Sequence, residues 1–166
     1  MIAHDWISFL SLLPHPEGGY YREIYRSEGM IAQPNLPFRY SGGRAYATAI
    51  YYLLEGHQVS SLHRLRSDEQ WFHIDGGALT IHRIAPDGSY EAHRIGKNTA
   101  KGERPHAMVP QGHWFGGSVD ERDSFALVGC FVAPGFDFDD FELGKRDELL
   151  RAFPQHADII TRLTRD

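Results

Sequence analysis

The chain has 166 residues, with 17 Lys+Arg against 22 Asp+Glu, a formal net charge of −5 at pH 7, and 42% hydrophobic residues. That length buries the core of one domain without staples, so a single domain over 1–166 is expected, and arginines scattered among acids offer no basic run to nucleic acid. One cysteine, Cys130 in FALVGCFV, makes no internal disulfide and reads as a small buried hydrophobe, while Asp5 interrupts an N-terminus without a basic leader and no stretch nears the roughly 20 apolar residues of a membrane helix; a soluble, cytoplasmic protein without membrane partners is expected.

Trp6, Phe9, Leu10 and Leu13 recur at helical spacing and Pro14 and Pro16 stop the pattern, which predicts a short amphipathic helix over 4–13, capping an apolar opening. From Tyr20 the period changes to two. Stretches 20–27, 44–54, 58–65, 69–75, 78–85, 89–96, 106–110, 113–119 and 124–133 are short, rich in β-branched and aromatic residues, and bounded by Gly, Pro, Asp or Asn. Glycines at 56, 76, 77 and 88 supply tight turns. Nine such stretches predict an all-β sandwich or barrel. Leu149, Leu150, Phe153, Ile159, Ile160 and Leu163 then return to helical spacing, giving two short helices broken at Pro154.

One constellation lies inside this pattern. Gly56, His63, Glu69 and Gly76 resemble the first motif of the cupin superfamily, and Pro110 and Gly112 in VPQGHWFGG resemble the centre of its second. HPEGGYYRE, SDEQWFH and PGFDFDDFEL resemble a group of small cupins known as cupin_5. The resemblance covers most of the chain and implies a double-stranded antiparallel β-barrel, a jelly roll, with the helices outside it. A metal-binding cupin takes two His and one Glu from the first motif and one His from the second. Here the second His position is Leu65 and the second-motif His position is Phe115, so only His63 and Glu69 remain of the four. Two protein ligands are too few for tightly held Zn, Fe or Mn, and the expectation is no metal cofactor. Were a divalent metal bound, His113, two places from Phe115, would join His63 and Glu69. His73 lies about 13 Å along the strand from Glu69, too far to share an ion.

Strand alternation puts Glu69, Trp71 and His73 on one face, a carboxylate, an aromatic wall and an imidazole suited to a pocket. His63 is the candidate general base, with Glu69 across the hairpin orienting its ring or raising its basicity. Phe115 lines the same cavity. In HPEGGYYRE, a carboxyl, a phenol and a guanidinium from Glu17, Tyr20 and Arg22 come over the barrel mouth; Arg64 alternates outward. Tyr20, Tyr21 or Tyr52 would serve as the acid. His82 and His93 read as packing or surface residues.

Three functions fit these residues. The first is a metal-free isomerase or epimerase acting on a sugar or sugar derivative, with His63 moving a proton beside a carbonyl. The second is a non-catalytic protein binding a sugar, nucleotide or small acid in the same pocket. The third is a metal-dependent cupin enzyme. Edge strands rich in Tyr and Phe need covering, which predicts a homodimer.

Overall fold

The structure, a computed structural model, describes residues 2–165. The chain runs through Ala3–Phe9 (α1), Leu13–Pro14 (β1), Tyr20–Arg26 (β2), Met30–Ile31 (β3), Arg44–Ala45 (β4), Thr48–Glu55 (β5) and Val59–Arg64 (β6). It continues through Asp68–Gly76 (β7), Leu79–Ile84 (β8), Tyr90–Ile95 (β9), His106–Val109 (β10), Trp114–Val119 (β11), Phe125–Ala133 (β12), Glu142–Leu143 (β13), Arg146–Ala152 (α2) and Ala157–Arg162 (α3). Each of the nine alternating stretches contains a strand, and the additional strands are two-residue pairings that alternation is too short to reveal.

A six-stranded sheet of order β1-β2-β5-β12-β7-β10 faces a five-stranded sheet of order β13-β6-β11-β8-β9, with β3 and β4 paired apart. Every ladder is antiparallel. From β5 to β13 successive strands alternate between the sheets except at the β8–β9 hairpin, as in a jelly roll. Their inward residues share one core, in which Tyr52, Trp71 and Val128 of one sheet meet Leu79, Ile81 and Phe115 of the other.

The first helix ends at Phe9, earlier than its sequence pattern predicts. Ser11 adopts φ 51°, Leu12 donates back to the Ile7 carbonyl, and Leu13 leaves to pair with Tyr21, so strand pairing overrides the helical period. Trp6, Ile7 and Leu10 pack with Leu12, Tyr20, Leu53 and Leu127 on the outer face of the six-stranded sheet. The C-terminal helices cover the other sheet, with Leu149, Ile160 and Leu163 against Leu62, Ile84 and Trp114, and a 3-10 turn Pro154–His156 separates them. No helix among the described residues is long and apolar enough to cross a membrane.

Candidate active site

The loop before β2 brings the site together. Gly18 and Gly19 hold φ of 114° and 69°, and a side chain at either would collide with the Val59 or Leu53 carbonyl. Only glycine lets the chain pass this close. The Tyr52 hydroxyl then donates to the Gly18 carbonyl at 2.7 Å and the Ser61 amide to the Glu17 carbonyl at 2.8 Å, pinning Glu17 over the interior.

Register explains the opposite wall. Glu23 stands opposite Ile50, Ile50 opposite Cys130, and Cys130 opposite Trp71. One row away, Thr48, Val132 and Glu69 align in the same way. With His63 and Leu65 from the facing sheet, these residues line a cavity of about 500 Å³. Its mouth is formed by Arg26 and by Phe136, Asp137, Phe138 and Phe141 after β12.

His63 is 2% exposed, its ring centroid 4.0 Å from Phe115 and 5.4 Å from Phe141. Its Nδ1 lies 2.8 Å from the Ser61 carbonyl, an acceptor only, so Nδ1 carries the hydrogen and donates. Its Nε2 lies 3.0 Å from Oε2 of Glu17. The other Glu17 oxygen accepts from Ser60 Oγ at 2.8 Å. Burial lowers the His63 pKa to about 4, against the Ser61 carbonyl, and raises that of Glu17, against His15, Ser60 and Tyr52. Both directions favour the uncharged pair, in which Glu17 donates its proton to Nε2. His15 completes the corner: its Nδ1 accepts the Glu17 amide at 3.2 Å, and burial lowers its pKa.

Glu69 is 7% exposed and belongs to a different neighbourhood. Burial, with Glu17 acting in the same direction, pushes its carboxyl up to about 8, so it holds its proton at neutral pH; Cys130 and Trp71 oppose the shift. The Trp71 indole Nε1 is buried without a hydrogen-bond partner. At the mouth, Arg26 holds Glu23 through two bonds of 3.0 and 2.7 Å and reaches the Phe136 carbonyl at 3.2 Å.

Of the residues singled out in the sequence, His63, Glu69, Glu17 and Trp71 line the cavity. Phe115 is buried beneath the His63 ring rather than on the cavity wall. Glu69 is not the hydrogen-bonding partner of His63; Glu17 takes that place. Tyr20 packs beneath α1 and Tyr21 takes the inward position, while the exposed Arg22 reaches the Leu10 carbonyl at 3.4 Å. His73 sits at a bulge in which β7 slips against β12, and its Nε2 bonds the Gly77 carbonyl at 2.9 Å, outside the cavity. His113 stays in its turn, Nδ1 3.4 Å from the Gln111 carbonyl. Sequence reasoning passed over His15, although HPE sets it two residues before Glu17, and passed over the mouth residues Asp137 and Phe138.

A cupin metal would need donors at the positions of Leu65 and Phe115, and His63 Nε2 is turned to Glu17. Among the described residues no three His, Cys, Asp or Glu side chains are grouped to hold an ion. The side chains present therefore do not fit the four-ligand set of the metal-binding cupins.

Comparison with known proteins agrees with this architecture. A family model described as Cupin_5, Cupin superfamily (DUF985), matches residues 4–144. The uncharacterized protein YML079W of Saccharomyces cerevisiae is 28% identical over 161 residues, 90% of this chain and 77% of its own length. The crystal structure of protein SO0799 from Shewanella oneidensis is 44% identical, with TM-score 0.88 over 99% of this chain and 98% of that one. A hypothetical protein from Leishmania major is 35% identical, with TM-score 0.91 over the whole of both chains. Oxalate decarboxylase OxdC of Bacillus subtilis shares the fold at 15% identity and TM-score 0.54, over 90% of this chain and 36% of that one. The chain belongs to the Cupin_5 (DUF985) family of the cupin superfamily.

Proposed function

We propose that the cavity binds a small carbonyl compound, such as a sugar derivative, and moves a proton on it without a metal, as an isomerase or epimerase does. The observation that carries this reading is the Glu17–His63 couple at 3.0 Å, buried on the cavity wall. A substrate proton accepted by the Glu17 carboxyl drives the carboxyl's own proton onto His63 Nε2, leaving an imidazolium whose Nδ1–H rests on the Ser61 carbonyl. Glu17 touches the substrate and His63 stores the proton. Burial supports the reading, because an environment that keeps both groups neutral makes them responsive to charge developing on a ligand.

The test is hydrogen exchange. In D2O, the protein is expected to place deuterium on the carbon beside the carbonyl of an uncharged sugar or ketone, and Glu17→Gln to slow this by about 10²-fold or more. Undiminished exchange in that variant would sink the assignment.

One observation favours the non-catalytic alternative. The His63 ring is clamped between Phe115 and Phe141 and both its nitrogens are hydrogen-bonded, as in a side chain that only shapes a binding pocket. Saturable binding with no exchange distinguishes it. For assembly, we propose a homodimer through the outer face of the six-stranded sheet, where Phe72, Ile74, Met108 and Phe131 are exposed. A stable monomer by light scattering at micromolar concentration would refute it.

A further inference from the structure

We infer that the ligand is an uncharged carbonyl compound whose oxygen is held between the Glu69 carboxyl and the Trp71 indole N–H, with Glu69 donating a hydrogen bond rather than serving as base. This rests on the proton-transfer reading and names its substrate class and the groups facing the carbonyl oxygen.

Charge gives the first reason. Glu17, Glu23, Glu69 and Asp137 line the cavity, and Arg26 is the one lining Lys or Arg among the described residues. Its guanidinium is already committed to both oxygens of Glu23 and to the Phe136 carbonyl. An anionic ligand would enter among carboxyl groups with no free cation to meet it. A neutral one loses nothing there.

Geometry gives the second. Glu69 and Trp71 are two residues apart on β7 and share its inward face, each lining the cavity. The indole N–H is a buried donor with no hydrogen bond of normal geometry, although it lies near enough to the Glu69 carboxyl to lower its pKa. Such a group carries an unrecovered desolvation cost unless a ligand or water supplies an acceptor. The titratable and charged groups that line the cavity with Glu69 are Glu17 and His15 from the loop before β2, Tyr21, Glu23 and Arg26 from β2, Tyr52 from β5, His63 from β6, Cys130 from β12, and Asp137 beyond it. Burial and Glu17 together hold Glu69 in its acid form, and burial keeps the Cys130 thiol protonated. Glu69 and Trp71 therefore offer two donors on one wall.

Two donors at one oxygen suit the chemistry of the Glu17–His63 couple. As the C–H bond beside the carbonyl breaks, its proton goes to Glu17, whose own proton passes to His63, and its electron pair forms the new C=C bond. The carbonyl π pair moves to oxygen, giving an enolate that Glu69 and Trp71 stabilise. Returning the proton to either face of that carbon, or to the former carbonyl carbon after a second proton shift, closes the sequence without oxidant or reductant.

The experiment uses the full chain with ¹³C=O-labelled cyclohexanone and, as the anionic counterpart, 4-oxocyclohexanecarboxylate. The bound cyclohexanone carbonyl band is expected below its position in water in the parent and in Glu69→Gln, whose amide still donates, and to move back toward it in Glu69→Ala and Trp71→Phe. Affinity for cyclohexanone is expected to fall about tenfold between pH about 6 and about 9.5 in the parent, as Glu69 ionises, and to stay level in Glu69→Gln. The carboxylate probe should bind about tenfold more weakly than the ketone at the lower pH. A band at or above its position in water, tighter binding at the higher pH, preference for the carboxylate probe, or no saturable ketone binding overturns the inference. A displaced band without α-hydrogen exchange supports the inference while defeating the proton-transfer reading. Exchange undiminished in Glu69→Ala overturns the inference while leaving that reading intact.

Discussion

Among the described residues, the buried Arg44–Asp140 pair and the carboxyl and imidazole groups of the cavity are built on opposite plans. Arg44 and Asp140, each 3% exposed at the side chain, meet through two bonds of 2.7 Å, and a third donor of Arg44 reaches the Gly43 carbonyl at 2.8 Å. Every charge there has its opposite and a fixed geometry. The cavity cluster has four carboxyl or imidazole groups, His15, Glu17, His63 and Glu69, with no Lys or Arg among the described residues bonded to any of them, and an indole donor left over. A pair that balances itself anchors a segment, whereas groups that balance only by sharing or holding protons are ready to respond to a ligand. The two plans are connected. Asp140 belongs to the turn Phe138–Asp140, so the balanced pair fixes the segment carrying Phe138 and Phe141 to the cavity mouth.

Breaking the balanced pair should give the largest change. Arg44→Ala leaves Asp140 buried without its bidentate partner, and because Arg66 still lies 4.0 Å from Asp140 the loss is placed at the lower end of the range for such pairs, about 3 kcal/mol. For a domain of this size the melting temperature should fall by roughly 6–12 °C. A fall below about 2 °C would mean that the pair anchors nothing.

Breaking the unbalanced cluster should act with the opposite sign. The Glu69 carboxyl is held at about 8 in the folded protein against an ordinary 4.5. Between those values the folded chain keeps a proton that the unfolded chain has released, so stability falls as pH rises. Glu69→Gln removes that dependence. Its stability relative to the parent is expected to rise between pH 4.5 and 8, at up to about 1.4 kcal/mol per pH unit, measured by urea unfolding at several pH values. A difference that does not change with pH would mean that Glu69 is ionised in the fold.

The contrast between the clusters also marks what the sequence makes legible. Alternation and turn glycines are local, and they identify the barrel strands and place Glu69 and Trp71 on one inward face. The identity of His63's partner is not local, because Glu17 arrives from 46 positions away through a loop whose path depends on Gly18 and Gly19. Tyr20 and Tyr21 show another limit. Adjacent identical residues carry no parity, so alternation cannot say which faces inward, and only the pairing of Tyr21 with Tyr52 decides. His73 shows a third limit. Its register with β12 is unbroken from Glu69, so it keeps the face that alternation predicts, but it lies four residues along β7, beyond the cavity, where its Nε2 bonds the Gly77 carbonyl.

The smallest expected effect separates Glu69 from the couple beside it. In the folded state, burial favours the acid form of Glu17 and the neutral form of His63, so the couple shares one titratable proton. In the unfolded state, above the ordinary 4.5 of Glu17 and below the ordinary 6.5 of His63, the same two residues also hold one, now on the imidazole. Equal proton counts mean no slope. Below 4.5 the unfolded pair gains a second proton, and the couple's contribution is lost as pH falls toward His63's folded value of about 4. The couple thus produces a plateau where Glu69 produces a steady decline. In a Glu69→Gln background, which removes the carboxyl coupled to Glu17, adding Glu17→Gln and His63→Gln should leave the pH slope of stability between about 5 and 6 unchanged, whatever the absolute stability. A slope that changes by about one proton would show the couple charged or split in the fold, and would remove the shared proton on which the assignment of Glu17 and His63 depends.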